Sequence, residues 1–283
     1  MFAWFTDWLY KNLGRTPPVR VEAPPPADDP WSRQWRVVRN AMLGLLVVAL
    51  AGGGIWYWLA HRTATDWAII VVSGDWHAHD GGSTEAFDNA RRDVSAALAS
   101  IGFPKENIEQ FSSRPDTHPG TQSAETGLIG RSMFALAEQH KDGCLFYFTS
   151  HGSPQGVLLG GVIATPQDLL KFVGGTCGDR PTIVVVSACY SGVFVPAVAA
   201  KNRMVMTAAR PDRTSFGCGQ DSKYPYFDTC MLETIHKVHS FPGLALGVRD
   251  CVSKKEDETG MSPPSEPQIY IPKGLVDKLP RWN

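Results

Sequence analysis

The chain has 283 residues, of which 43% are hydrophobic and 19% charged, and 27 Lys+Arg against 28 Asp+Glu leave a formal net charge of -1. These values exclude a mainly disordered chain, a collagen-like repeat and a polytopic membrane protein, and the near-neutral balance gives nucleic acid no electrostatic footing as a partner. The length suffices for one large or two small domains with a real core, and six Cys are too few for a scaffold built on disulfides.

The N-terminal quarter differs from the rest. Eight of the nine Trp lie between Trp4 and Trp76. Met1–Tyr10 is aromatic-rich and suits the membrane surface, although it is short for a stable amphipathic helix. Six of the 21 Pro fall between Pro17 and Pro30, the composition of an extended spacer. Ala41–Ala60 is a 20-residue run without a charge. As a helix it is about 30 Å long, the thickness of a bilayer core. Trp56, Tyr57 and Trp58 stand at its C-terminal end, where amphipathic rings favour the interface. Arg33, Arg36 and Arg39 precede the run and only Arg62 follows closely. The positive-inside rule therefore predicts a single-pass helix with a cytoplasmic N-terminus and an extracytoplasmic, in a bacterium periplasmic, remainder. The expected organisation is a cytoplasmic segment over 1–40, a transmembrane helix over 41–60 and a globular domain over 61–283.

From Asp66 onward strands and helices alternate. Trp67–Ser73, Cys144–Phe148, Thr182–Val186 and Arg203–Thr207 are short apolar runs of the kind that fill a buried parallel sheet. Thr84–Ile101, closed by Gly102, and Glu125–His140 read as helices, and Pro166–Val173 as a shorter one. Ser262–Pro267 reads as a loop and Gln268–Ile271 as a late edge strand. This order predicts an α/β fold, a parallel-core sheet flanked by helices on both faces.

Two strands end in reactive residues. One runs into Ser150-His151-Gly152 and the other into Ala188-Cys189-Tyr190-Ser191-Gly192. Sites in open α/β sheets form at the carboxyl ends of strands, so His151 and Cys189 are expected on one edge of the sheet. A free thiol is mostly protonated at neutral pH, and a nearby imidazole takes its proton and later protonates the leaving amine. Backbone N–H groups of Gly152 and Cys189 are candidates for the oxyanion hole, and Gly152 has no Cβ to obstruct a substrate. This chemistry requires no cofactor.

From about Trp67 to Ile235 the chain resembles the legumain-like cysteine peptidases, a family with the caspase-like fold. The resemblance rests on Ser150-His151-Gly152 and Ala188-Cys189-Tyr190-Ser191-Gly192. It extends to Gly102-Phe103-Pro104 through Asn107-Ile108 and to Thr207-Ala208-Ala209. It implies His151 as general base and acid, Cys189 as nucleophile, and a peptide or protein substrate. Tyr190 stands where members that cut after Asn carry Glu, and Ala86 and Phe87 stand where they carry Arg-His. Thr214, Ser215 and Asp228 fall near the family's specificity pocket, with Asp228 expected at its wall and Tyr190 beside the nucleophile.

Asp75, His77, His79 and Asp80 form a cluster that offers metal-ligand types. It is weighed here as a polar loop at the active edge, with substrate contact ahead of metal binding and no metal expected. Besides Cys189 an odd number of Cys remains, so at least one stays free in any intramolecular scheme. Cys144, at a strand start, is expected as a small core residue. The leading expectation is a membrane-anchored cysteine endopeptidase. Transpeptidation by the same acyl-enzyme, a catalytically silent tethered module and a metal-dependent hydrolase are the competing readings.

Overall fold

The computed structural model describes residues 30–60 and 66–282. Met1–Tyr10, most of the Pro-rich stretch, Arg62 and the side chains of Trp56, Tyr57 and Trp58 lie outside the described residues. The chain divides into two compact units, Met1–Leu59 and Ala60–Asn283.

Helix α1, Pro30–Ala60, runs for 31 residues. Within it Gln34–Gly54 is long and apolar enough to cross a membrane by length and composition. The helix begins 11 residues before the expected Ala41 because Gln34, Arg36 and Arg39 are good helix formers and no breaker stands between Pro30 and Ala41.

In the second unit, β1 (Trp67–Ser73) is buried on both faces, which its β-branched and apolar run requires. Helix α2 (Ala86–Ser100) returns the chain to β2 (Ile108–Ser112), and β3 (Gln122–Ser123) extends that side. Helix α3 (Thr126–Gln139) crosses back to β4 (Gly143–Thr149). A three-stranded antiparallel excursion follows, made of β5 (Gly152–Ser153), β6 (Gly156–Leu159) and β7 (Val162–Ala164). Helix α4 (Pro166–Cys177) leads to β8 (Thr182–Ser187), then α5 (Val195–Val198) and β9 (Arg203–Thr207). Helices α6 (Tyr226–Thr234) and α7 (Phe241–Thr259) precede β10 (Gln268–Tyr270). Among the described residues one seven-stranded sheet has the order β10-β9-β8-β4-β1-β2-β3, parallel except for β10.

Alternation along the strands divides the core in two. Trp67, Ile69 and Val71 pack with Leu145, Tyr147, Val185 and the apolar faces of α2, α6 and α7. Ala68, Ile70 and Val72 pack with Phe146, Phe148, Val184 and the faces of α3 and α4. Helix α4 starts in a capping box, Thr165 accepting from the Asp168 N–H and Asp168 accepting from the Thr165 N–H. It runs to Cys177 rather than Val173, where a disulfide to Cys144 holds its last turn against the start of β4. Cys144 is buried in the core, as half of a disulfide. A second disulfide joins Cys230 of α6 to Cys251 of α7.

Candidate active site

The chain order places its turning point at the centre of the sheet: β2 and β3 lie to one side of β1, and β4, β8 and β9 to the other. Such a point opens a crevice beyond the carboxyl ends of the strands. The register makes those ends level, with Ser73 opposite Thr149 and Thr149 opposite Ser187. The Ser150 N–H donates to the Ser187 carbonyl at 3.1 Å. His151 follows β4 and Cys189 follows β8, so the two emerge side by side on one edge.

The contact between their loops is close. A Cβ on Gly152 would lie 2.0 Å from the Cys189 carbonyl oxygen. Glycine is therefore required at 152 by the neighbouring backbone, rather than by the approach of a substrate. The Leu158 N–H donates to the His151 carbonyl at 2.9 Å, which makes 151 and 158 a hydrogen-bonded pair. Gly152 and Val157 form the next antiparallel pair. In such a non-hydrogen-bonded pair the N–H points away from the partner strand, so the Gly152 N–H is directed off the ladder.

Cys189 is partly exposed, with Sγ 3.3 Å from the Ser215 N–H and 3.6 Å from Ser215 Oγ. The sulfur also donates to the Ser215 carbonyl at 3.6 Å, so Ser215 holds it from both a donor and an acceptor. Tyr190 adopts the left-handed conformation, φ 58° and ψ 11°. For a side chain of this size that costs about 1–2 kcal/mol. The turn is held by the Tyr190 N–H to the Arg213 carbonyl at 2.8 Å and the Val193 N–H to the Tyr190 carbonyl at 3.1 Å. Tyr190 is half-buried and Thr214 is exposed. Of the expected substrate-contact residues, the structure thus brings Ser215 against the sulfur and Tyr190 and Thr214 into the same loops.

His151 Nε2 lies 2.8 Å from the His77 carbonyl oxygen. A carbonyl only accepts, so this nitrogen carries the proton and Nδ1 keeps its lone pair. The Phe87 ring meets the His151 ring edge to face at 5.0 Å. The segment that supplies the carbonyl is the Asp75–Asp80 stretch. Asp75 Oδ1 accepts from His77 Nδ1 at 2.7 Å, while His79 and Asp80 are exposed. Among the described residues the trio with metal-ligating spacing lies elsewhere: Glu85, Asp88 and His118. There Arg114 pairs with Glu85 and Arg91 Nε donates to Asp88 at 3.1 Å, so both carboxylates are already balanced by guanidinium groups.

Asp228 is not at a pocket wall. It is fully buried beneath the strand ends. Its carboxylate accepts from Tyr147 Oη at 2.5 Å, Thr149 Oγ1 at 3.0 Å and Ser187 Oγ at 2.7 Å. Burial pushes this carboxyl up to about 6, although the three hydroxyls pull the other way. The expectation of a substrate contact at Asp228 is corrected because neighbouring hydroxyls close it off from solvent. Cys218 is the other free cysteine among the described residues. Burial, with the Cys189 charge adding to it, pushes its thiol up to about 11, which leaves it a poor nucleophile at neutral pH.

Sequence reasoning missed the His77 carbonyl, Phe87 and the support from Ser215. The GDWHAHDGG run marked the right loop, but a backbone acceptor has no residue signature. Asp228 was singled out through the family resemblance, which placed it near the specificity pocket.

Comparison with known proteins agrees with this geometry. Residues 121–240 match the Peptidase C13 family, a stretch that contains both His151 and Cys189. No curated protein matches the chain. Among solved structures, caspase-1 from Spodoptera frugiperda is similar at a TM-score of 0.53 and 16% identity, covering 74% of this chain and 87% of that one. At that identity the likeness concerns the fold alone. Over its central stretch the chain is thus similar to the Peptidase C13 family, the family of the legumain-like cysteine peptidases, and the sheet around that stretch has the caspase-like fold.

Proposed function

We propose that the protein is a membrane-anchored cysteine endopeptidase in which Cys189 and His151 act as a dyad. The observation that carries this reading is the emergence of both side chains from level, adjacent strand ends, with Gly152 against the Cys189 backbone. His151 Nδ1 takes the thiol proton, and Sγ attacks the carbonyl carbon of the scissile bond. The N–H groups of Gly152 and Cys189 receive the oxyanion. His151 then passes the proton to the leaving amine, and an acyl-enzyme remains on Cys189. Water, deprotonated by His151, attacks that thioester and releases the acid with the free thiol. Thr214, Ser215 and Tyr190 are the residues proposed to contact the substrate beside the cleaved bond.

The apolar span Gln34–Gly54 supports anchoring. The two disulfides support an oxidising, extracytoplasmic site for the domain.

The test is cleavage of a peptide library by the full chain in detergent. Cys189→Ala and His151→Ala should each abolish turnover with the fold retained. The double variant should be no worse than either single one, because both remove the same covalent route. Turnover that survives in a clean Cys189→Ala sample would refute the mechanism. Products that carry an added amine would point to transpeptidation instead.

A further inference from the structure

The loop that receives His151 is built around one carboxylate. Asp75 stands two residues after the end of β1 and is 6% exposed. Its Oδ1 accepts from the Trp76 N–H at 2.8 Å, the His77 N–H at 3.4 Å and His77 Nδ1 at 2.7 Å. These bonds fix the two peptide units that lead into His77, whose carbonyl, on the following His77–Ala78 peptide, accepts from His151 Nε2 at 2.8 Å. The rest of the loop reinforces the same geometry. The Thr84 N–H donates to the Trp76 carbonyl at 2.9 Å, and the Ala78 N–H to the Gly82 carbonyl at 2.8 Å. The Trp76 ring lies on the His77 ring at 3.9 Å, with the Arg114 guanidinium over the Trp76 ring at 5.1 Å. The loop is level with the dyad because the Gly74 N–H donates to the Thr149 carbonyl at 3.0 Å.

An imidazole held at one nitrogen by a fixed acceptor has its tautomer and its ring plane set. A carbonyl is a useful holder only if its own peptide cannot rotate. Three donors converging on one oxygen call for a carboxylate, which only accepts. We infer that Asp75 is a positioning residue for the dyad, acting through the His77 peptide to hold His151 with Nδ1 free to receive the Cys189 proton. This rests on the dyad proposed above. The His77 ring, 52% exposed, is one of the donors on Asp75. Its own contribution is small, because the carbonyl that meets His151 belongs to the backbone.

The experiment compares parent, Asp75→Ala, Asp75→Asn, His77→Ala and His151→Ala as full chains in detergent. Three quantities are read: kcat and KM on one cleaved peptide, thermal midpoint, and the rate of iodoacetamide alkylation at the Cys189 peptide from pH 5 to 9. Peptide-resolved mass spectrometry keeps Cys218 out of the readout. Asp75→Ala should lower kcat at least about tenfold with KM within about twofold, since a misplaced base costs turnover and not binding. It should also shift the alkylation profile toward that of His151→Ala. Asp75→Asn keeps an oxygen for the two backbone N–H groups and should fall between Asp75→Ala and parent, with an unchanged thermal midpoint. His77→Ala keeps the backbone carbonyl but removes one donor from Asp75, and should lose less kcat than Asp75→Ala. Parent-like kcat and alkylation in Asp75→Asn and Asp75→Ala would overturn the inference. So would a His77→Ala loss as large as that of Asp75→Ala, which would assign the role to the ring. If Asp75→Ala does not fold, Asp75→Asn alone decides, with parent-like kcat overturning the inference. Failure of the dyad itself shows separately, as a His151→Ala profile identical to parent.

Discussion

At the scale of single residues, the most consequential placement is a carboxyl group sealed from water between two strand ends. Asp228 receives three hydroxyl donors, two of them from Thr149 and Ser187, each two positions before a dyad residue. Its pKa, about 6 against an ordinary 3.8, means that the folded chain binds a proton there more tightly than the unfolded chain does. The contribution to stability is therefore complete below the unfolded value and is lost as pH rises through about 6. The shift of about two units corresponds to roughly 3 kcal/mol. Urea unfolding of parent and Asp228→Asn at pH 4.5 and 7.5 should show the parent losing roughly 2 kcal/mol relative to the variant at the higher pH, because at pH 4.5 an unfolded carboxyl with the ordinary value of 3.8 is already mostly ionised. Parallel behaviour of the two proteins would mean that Asp228 titrates normally. Asp228→Ala should be worse at both values, because it leaves three buried hydroxyls without their acceptor, at about 1–3 kcal/mol each.

Among the secondary-structure elements, the disulfides decide which pieces move together. Cys144–Cys177 closes 33 residues and fastens the end of α4 to β4, the strand that carries His151. Cys230–Cys251 closes 21 residues and joins α6, which bears Asp228, to α7. In the loop-entropy account each contributes about 3–4 kcal/mol. For a domain of this size the Cys230→Ser, Cys251→Ser double variant should therefore melt roughly 6–15 °C below parent. Thiol titration of the unfolded, unreduced protein should give two free groups, Cys189 and Cys218, of the six Cys. A count of six would show the bridges absent in solution, and an unchanged melting point in the double variant would show that the second bridge adds nothing.

For the whole molecule, one apolar helix and one sheet domain with two disulfides have to be reconciled with a compartment. Arg33, Arg36 and Arg39 bias the N-terminal side of the helix toward the cytoplasm. Disulfides persist in oxidising compartments, and the proposed function accordingly places the domain on the opposite side. Both arguments predict that protease added outside intact cells or spheroplasts digests the domain over 66–282. Protection there would reverse the topology. A mature chain that begins after Ala60 would instead identify the apolar helix as a cleaved signal.

The elements readable from the amino-acid sequence were those whose local chemistry admits a single environment. Trp67–Ser73 and Arg203–Thr207 are strands over the expected spans because an all-apolar, β-branched run has to be buried on both faces. The order of His151 and Cys189, each just beyond such a run, was legible for the same reason. Ile108–Ser112 was not, because it is partly exposed along most of its length and carries no uninterrupted apolar run. The antiparallel excursion from Gly152 to Ala164 was hidden by strands of only two to four residues. Tertiary structure alone decided the partner of Cys144, the burial of Asp228 and the His77 carbonyl on His151. Each of these depends on groups 33 to 81 residues apart in the chain, meeting at the carboxyl edge of the sheet for Asp228 and His151 and at the start of β4 for Cys144. Residue type restricts what a group can bond to, but which distant group arrives is set by strand order and register.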